Sequence, residues 1–542
     1  MNRYRLLVSG LLMVVCWLTE YNVCGQTLSE RFDDWPVRLK INGRLAIAAE
    51  LQDVRLLDEL LTDSLNTAAC LLITDDSPTP LVAKAYEQLF ASLKSIPSDQ
   101  LHAFEPASIP PFIAWHVNQW PLVPDALTAT KREQLLAWLA NQLEAGKTIV
   151  VTGSGAQAVG KWVFSGNERS SPVAGLDLFP DCVLQLNFSA ERVKQTVGRV
   201  KSRQRCVAIG LEPDTLLLLD GRKLRVAGAG RAWMILPRTS DLPSRIETLV
   251  ARQGIGQPTS QWLADLTEWR RDAIDRTLEP FPPAEPQVPR VEQGTLMIVG
   301  GGGMPDGLMQ RFIDLAGGAA SAKLVYIPCE EREHAPLRSS IIDEWHGLGV
   351  AHTALLHTKD RQQANSDESF LAPLVDATGI WFGGGRQWNF ADSYYGTRAH
   401  GLMKQVLLRG GVIGGSSAGA SIQAQYLARA TPIENFRIMA PGYERGGLGF
   451  LHGVAIDQHF TQRGRQADMT ELVERYPQLL GIGIDEGTAI VVSESQAEVV
   501  GQGAVFFYDR KQAMSSEGTD YLQLTSGDNY DLATRQIIDQ RR

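Results

Sequence analysis

The chain has 542 residues, 44% of them hydrophobic and 21% charged, which is enough for two or more domains, each with its own core. A formal net charge of −9 argues against nucleic acid as the main partner. The one basic stretch, Arg192 to Arg205 (RVKQTVGRVKSRQR), reads as a solvated helix face.

Residues 1–25 read as a secretory signal. Arg3 and Arg5 precede an apolar run, Leu6 to Leu18, and Val23-Cys24-Gly25 supplies modest side chains before Gln26. A run of about thirteen residues is too short to span a bilayer comfortably, so the expectation is an exported protein, periplasmic or secreted, with no stable membrane span. Cleavage would leave Cys70, Cys182, Cys206 and Cys329, each alone in apolar surroundings and without CxxC spacing. These are expected as buried free thiols, and no metal or organic cofactor is expected.

From Gly43 to Thr74 the pattern runs strand (RLAIAA), helix (DVRLLDELLTDSL), strand (CLLIT), the alternation of βαβ units around a parallel sheet. A helical period over Lys131 to Ala145 is followed by the strand Lys147 to Val151. Beyond Pro237 comes a polar, helix-rich stretch that ends in the proline-rich Pro280 to Pro289, read as an interdomain linker. The alternation then restarts with Leu296 to Val299, a helix over Gly307 to Leu315, and the strand Leu324 to Ile327. The implied domains are 30–237 and 294–542, joined by a connector over 238–293.

The two halves resemble each other. Residues 175–188 (GLDLFPDCVLQLNF) lie without gaps over 447–460 (GLGFLHGVAIDQHF), Gly210 to Thr215 matches Gly483 to Thr488, and Gly228-Ala-Gly230 matches Gly501-Gln-Gly503. A drift of one residue across three segments implies a tandem duplication. At a smaller offset the turn after Val151 matches Gly415 to Ala420, with Gly155-Ala156 over Gly419-Ala420, so Ser417 falls opposite Gly153; His459 falls opposite Asn187 in the register above, and the first copy reads as a scaffold or pseudo-enzyme domain.

Chemistry concentrates in the second half. Gly411 to Ala420 (GVIGGSSAGA) reads as a strand entering GxSxG, followed by a helix over Ala420 to Ala428, the pattern of a nucleophile elbow presenting Ser417. His459, after the strand Val454 to Ile456, is the best-placed base, and Glu434 or Asp457 could orient it. The amide of Ala418, and one from the run Gly383-Gly384-Gly385, could form an oxyanion hole. A second glycine run, Gly300 to Gly303, fails the dinucleotide pattern because Pro305 occupies the position of its last glycine, and implies no nucleotide.

GGSSAGA, DQHFTQRGR (Asp457 to Arg465), LGIGIDEGTAIVV (Leu480 to Val492) and GQGAVFFYD (Gly501 to Asp509) together resemble the cyanophycinase family of serine peptidases, relatives of the aspartyl dipeptidases. The resemblance implies an α/β fold of two tandem doubly wound, mostly parallel-sheet domains, like the class I glutamine amidotransferases. It places the nucleophile on Ser417, the base on His459 and the acid on Glu434, with Ala418 and Gly385 at the oxyanion hole. Substrate contacts are implied for Gln387, Asp457, Gln458, Arg463 and Arg465. Two positions depart from the family pattern. Arg386 stands where cyanophycinase has aspartate, and Asp468 where it has arginine, an exchange of charge that keeps the net charge of one pocket if the two face each other. The implied substrate is a β-aspartyl peptide, cyanophycin or another, and the implied assembly is an intrachain pseudo-dimer with the option of a further homodimer. The rival functions are a non-catalytic secreted binding protein and a general esterase. The esterase would place its histidine near the C-terminus, whereas His459 is the last in the chain.

Overall fold

Strand pairing and side-chain burial divide the chain into two α/β units. In the computed structural model these are residues 37–278, and 33–36 together with 279–538. The structure describes residues 33–39, 41–48, 69–74, 92–97, 109–116, 129–153, 155–164, 172–251, 263–336, 338–433, 436–510 and 519–538. The leader, the helix expected over 53–65, and Glu434 lie outside the described residues.

The unit that begins at residue 279 carries a nine-stranded sheet in the spatial order His352–Leu355, Lys323–Ile327, Gly379–Phe382, Val412–Ser416, Thr295–Val299, Thr488–Ser493, Gln496–Gly501, Asn529–Asp531 and Gln536–Ile537. The first five are parallel and the remainder antiparallel. Successive residues of a strand face opposite sides, and here both sides are covered. Leu296 and Ile298 join one apolar core while Met297 and Val299 join another, so the strands read as unbroken apolar runs. A second, five-stranded sheet runs Ala424–Tyr426, Leu451–Gln458, Leu480–Ile484, Ala504–Asp509, Leu522–Thr525.

The helix expected over 420–428 is cut to a single turn, Ala418–Ser421. Tertiary pairing overrides the local period: the carbonyls of Ile422, Gln423 and Ala424 accept from the amides of Leu448, Leu451 and Gly449, which converts the segment into the edge strand Ala424–Tyr426.

The 37–278 unit has an eight-stranded sheet in the order Ser92–Pro97, Ala69–Thr74, Phe112–His116, Thr148–Thr152, Arg44–Ile47, Thr215–Asp220, Lys223–Gly228, Ala264–Asp265. Again five strands are parallel and the rest antiparallel. A smaller sheet runs Cys182–Gln185, Val207–Leu211, Arg231–Leu236, Arg245–Val250. The expected connector over 238–293 is thereby corrected. Its first part belongs to this unit, since Arg245–Val250 pairs with Arg231–Leu236 and Ala264–Asp265 with Lys223–Leu224. The helix Leu266–Asp275 is buried and pinned by ion pairs from Arg245 to Glu268 and Asp272. The unit ends at Leu278, where the proline-rich run begins. Cys70, Cys182 and Cys206 are buried free thiols, and Cys329 is a half-buried one.

Residues 33–36 precede the first unit in sequence but pack with the second. Trp35, 6% exposed, donates from Nε1 to Asp392 Oδ1 (3.2 Å), lies 5.2 Å from the Tyr395 ring centroid and sits under the Arg361 guanidinium. Truncating a buried indole removes its apolar contacts and leaves a cavity. Trp35→Ala should therefore destabilise this unit by about 3 kcal/mol in urea unfolding; a midpoint unchanged from wild type would show that the anchor contributes nothing.

Candidate active site

The strand Val412–Ser416 ends at the carboxyl edge of the nine-stranded sheet, where α/β folds place their chemistry. Ser417 follows with φ 57° and ψ −115°, a conformation costly for any residue bearing a Cβ and typical of a strained elbow. The flanking glycines make it possible. A Cβ at Gly415 would stand 2.3 Å from Gly419 O, and one at Gly419 would stand 2.1 Å from Phe382 O, so both positions must lack a side chain. Ser417 Oγ thus emerges above the sheet, 2.9 Å from His459 Nε2.

His459 follows the strand Leu451–Gln458 with φ 48°. Its Nδ1 lies 2.6 Å from Glu486 Oε1. The carboxylate that meets the imidazole therefore comes from the turn between Leu480–Ile484 and Thr488–Ser493. Glu434, named for this role from the sequence, lies outside the described residues. Asp457, the other candidate, is turned away from His459: it is fully buried and accepts from Arg429 Nε and Arg465 Nη1, both at 2.8 Å.

One short stretch sets the register of all three groups. The carbonyl of Val299 accepts from the amide of Ser417 (3.0 Å), that of Gly300 from His459 (2.8 Å), and that of Gly301 from Gly487 (2.8 Å), next to Glu486. Glycine is required here by close approach. A Cβ at Gly301 would lie 2.4 Å from His459 Cε1, and one at Gly302 would lie 2.5 Å from Glu486 Cδ. The run Gly300–Gly303, set aside as an unproductive nucleotide pattern, is the floor beneath imidazole and carboxylate. Asp485 closes the arrangement. Its Oδ1 accepts from the Thr461 amide (2.9 Å) and hydroxyl (2.6 Å), its Oδ2 accepts from Ala504 N (3.2 Å), and Gln462 Oε1 accepts from Glu486 N (3.1 Å).

The glycine run Gly383–Gly385 also reaches the elbow. A Cβ at Gly384 would fall 3.5 Å from Ser417 Cβ, and Gly385, at φ 150°, packs its α-carbon against Cys329. Ala418, fully buried, begins the one-turn helix. The amide of Gly383 is taken up by the sheet, donating to Ile327 O (2.9 Å), which leaves Gly384 and Gly385 as the part of the run beside the elbow.

The expected substrate contacts separate into a frame and an exposed group. Gln387 is buried and donates to Ala428 O (2.6 Å); Gln458 is buried and accepts from Arg465 Nη1. Arg465 is buried against Asp457 and the Gln458 carbonyl. The paired reading of Arg386 and Asp468 is corrected, because each has a partner of its own. Arg386 donates to the carbonyls of Thr431 and Ile433 and lies 4.5 Å from the Phe436 ring centroid. Asp468 accepts from Arg429 Nη2 at 2.6 Å. Arg429, a residue with no motif to mark it, donates to both Asp457 and Asp468. Arg463 alone among these arginines is exposed, and it makes no ion pair among the described residues.

Burial lowers the His459 pKa below its ordinary 6.5; the Glu486 hydrogen bond opposes this and the Arg463 cation adds to it. The imidazole is neutral at pH 7 and can accept a proton from Ser417.

Over this unit the chain is similar to known peptidases. The model of peptidase family S51 matches residues 296–500. A cyanophycinase from Geminocystis herdmanii is 30% identical over 210 residues, covering 38% of this chain and 76% of that protein. One from Synechococcus elongatus is 29% identical over 250 residues, covering 42% and 76% respectively. Among solved structures, a peptidase from an acI-B1 Actinobacterium is 24% identical and aligns over 45% of this chain and 98% of its own, with a TM-score of 0.32. The sequence matches define a serine-type peptidase, and the chain belongs to peptidase family S51.

Two outcomes follow from the geometry. Gly301→Ala, which forces the imidazole from its seat, should lower kcat/KM about a hundredfold or more with an unchanged far-UV spectrum. Activity near wild type would mean that His459 needs no such floor. Because the base must be neutral, kcat/KM should fall only as pH drops below 6.5, the ordinary histidine value. Arg463→Gln removes a neighbouring cation and should move that acid limb upward; a limb that stays in place or moves down would contradict the assignment.

Proposed function

We propose that this chain is an exported serine peptidase that hydrolyses β-aspartyl peptides, cyanophycin or related isopeptide-like chains, through Ser417, His459 and Glu486. The observation that carries the reading is the continuous contact from Ser417 Oγ through the imidazole to the Glu486 carboxylate, 2.9 and 2.6 Å, on a strained elbow. His459 takes the Ser417 proton, and Ser417 attacks the scissile carbonyl. The oxyanion meets amides near Ala418 and Gly385; as the intermediate collapses, the C–N bond breaks and His459 gives its proton to the departing amine, and His459 then takes a proton from water, which attacks the acyl group and frees Ser417. A β-aspartyl linkage leaves the α-carboxylate of its aspartate free. Arg463, which makes no ion pair among the described residues and lies close enough to act on His459, suits that charge. Export is supported by the leader pattern of residues 1–25.

The 37–278 unit is, on this reading, a non-catalytic second copy. Support comes from the shared order and direction of eight strands and from matched close contacts. A Cβ at Gly210 would stand 2.4 Å from the Phe188 ring, and one at Gly483 would stand 2.5 Å from the Phe460 ring. Opposite Ser417, His459 and Glu486 stand Gly153, Asn187 and Pro213.

The test is hydrolysis of a panel of α- and β-linked aspartyl peptides, with fluorophosphonate labelling alongside. Wild type should cleave the β-linked members and label. Ser417→Ala should do neither, and Glu486→Gln should lose roughly 10²- to 10⁴-fold in kcat. Preference for α-linked peptides would end the substrate assignment, and labelling that survives Ser417→Ala would end the assignment of the nucleophile.

A further inference from the structure

Residues 192–205 hold six Arg or Lys and no Asp or Glu in a chain of net charge −9. The helix Val193–Lys201 buries Thr196 and Val200 and leaves Lys194 and Lys201 exposed. Among the described residues Arg192, Lys194, Arg199, Lys201 and Arg203 form no ion pair. Arg199 lies 5.5 Å from the centroid of the Phe164 ring and Arg203 lies 4.6 Å from that of Trp162. Between the helix and these aromatics runs an open groove of about 660 Å³, lined by Phe164, Pro172, Glu191, Lys194, Gln195 and Arg199.

A second observation concerns sign. This helix follows Cys182–Gln185 and precedes Val207–Leu211, as Gln466–Arg475 follows Leu451–Gln458 and precedes Leu480–Ile484. The helix of the peptidase unit carries Asp468, Glu471 and Glu474, while its counterpart carries Gln195, Gly198 and Lys201. Gly153, Asn187 and Pro213 stand opposite the catalytic residues, and in the 37–278 unit a basic helix stands where the peptidase unit has an acidic one.

We infer that this groove binds an acidic polypeptide chain. Lys194 and Arg199 line the groove about 7.5 Å apart at helical rise, and Lys201 and Arg203 continue the basic run past its end, too long a reach for one small anion. A bilayer surface fits poorly, because Val200 is buried and Val193 and Val197 are partly buried against the same core rather than presented to lipid. Nucleic acid fits poorly too, since the aromatic faces that would stack on bases are covered by the protein's own guanidiniums. A run of carboxylates meets the cations while its backbone lies along the groove wall at Pro172. The source of such a chain, an aspartyl polymer, rests on the β-aspartyl reading of the peptidase unit. The 37–278 unit would then hold the polymer that the same chain cleaves.

The experiment uses full-length Ser417→Ala protein and fluorescein-labelled poly-aspartate, read by anisotropy, with phosphatidylglycerol vesicles and a single-stranded DNA oligomer as competitors. Binding should weaken with added salt. Adding Lys194→Glu and Arg199→Glu should reduce it roughly tenfold or more, and Lys194→Gln with Arg199→Gln should give a smaller loss. The same reversals with Ser417 intact should leave turnover of a β-aspartyl dipeptide unchanged. Equal binding by the reversed and parent proteins would overturn the inference, as would vesicles or DNA competing better than unlabelled poly-aspartate. Reversal-sensitive binding with no hydrolysis of any β-aspartyl peptide would instead sink the catalytic reading and leave the groove standing.

Discussion

Everything proposed for the peptidase unit depends on three consecutive carbonyls, those of Val299, Gly300 and Gly301, which accept from Ser417, His459 and Gly487. These partners come from three separate parts of the chain, and no local preference brings them together. A backbone hydrogen bond is modest in net worth, but it fixes direction as well as distance. Three in succession leave the serine, imidazole and carboxylate little freedom to slide past one another. The floor must be glycine because the imidazole and carboxylate rest where side chains would otherwise be.

Around that floor the charges are arranged in two ways. Arg429, Arg465, Asp457 and Asp468 form one network with two charges of each sign, its core buried. Pairing of this kind avoids the cost of an isolated buried ion, though it contributes little net stability. Its consequence here is geometric, since it fixes the strand end at Asp457 and Gln458 from which His459 departs. Arg463 stands outside the network. It leaves the rim with an unmatched positive charge that disfavours imidazolium and favours an anionic ligand.

Much of this was legible in the sequence, and the misses have physical causes. The elbow was readable because GxSxG reports steric demands that act within five residues. His459 was readable because a polar residue after an apolar strand lies at a sheet edge. Glu486 was missed because proximity in sequence to the elbow was weighed above register across the sheet. The internal repeat did hold the signal. Aligning Gly210 to Thr215 with Gly483 to Thr488 sets Glu486 against Pro213, a substitution like those of Ser417 by Gly153 and His459 by Asn187. The role of Gly300–Gly303 was hidden for another reason: motif rules read glycine as room for a ligand, and here the room is taken by the protein's own side chains. The connector was misjudged because short edge strands such as Arg245–Val250, exposed along most of their length, carry little apolar period.

The two units also separate what a fold requires from what a reaction requires. Asn187 has φ 51° and His459 has φ 48°, so the left-handed turn after the strand is the same whether or not an imidazole follows from it. Gly230 and Gly503 each crowd a threonine hydroxyl, Thr215 and Thr488, and Gly210 and Gly483 each lie under a phenylalanine. Those positions answer to packing, which both units share, and packing penalises change everywhere in a core. The reactive side chains answer only to the chemistry, and they stand in one unit alone. On the proposed reading of the 37–278 unit as a non-catalytic second copy, a unit relieved of that demand keeps its backbone while its surface is free to take another sign, as its basic helix does.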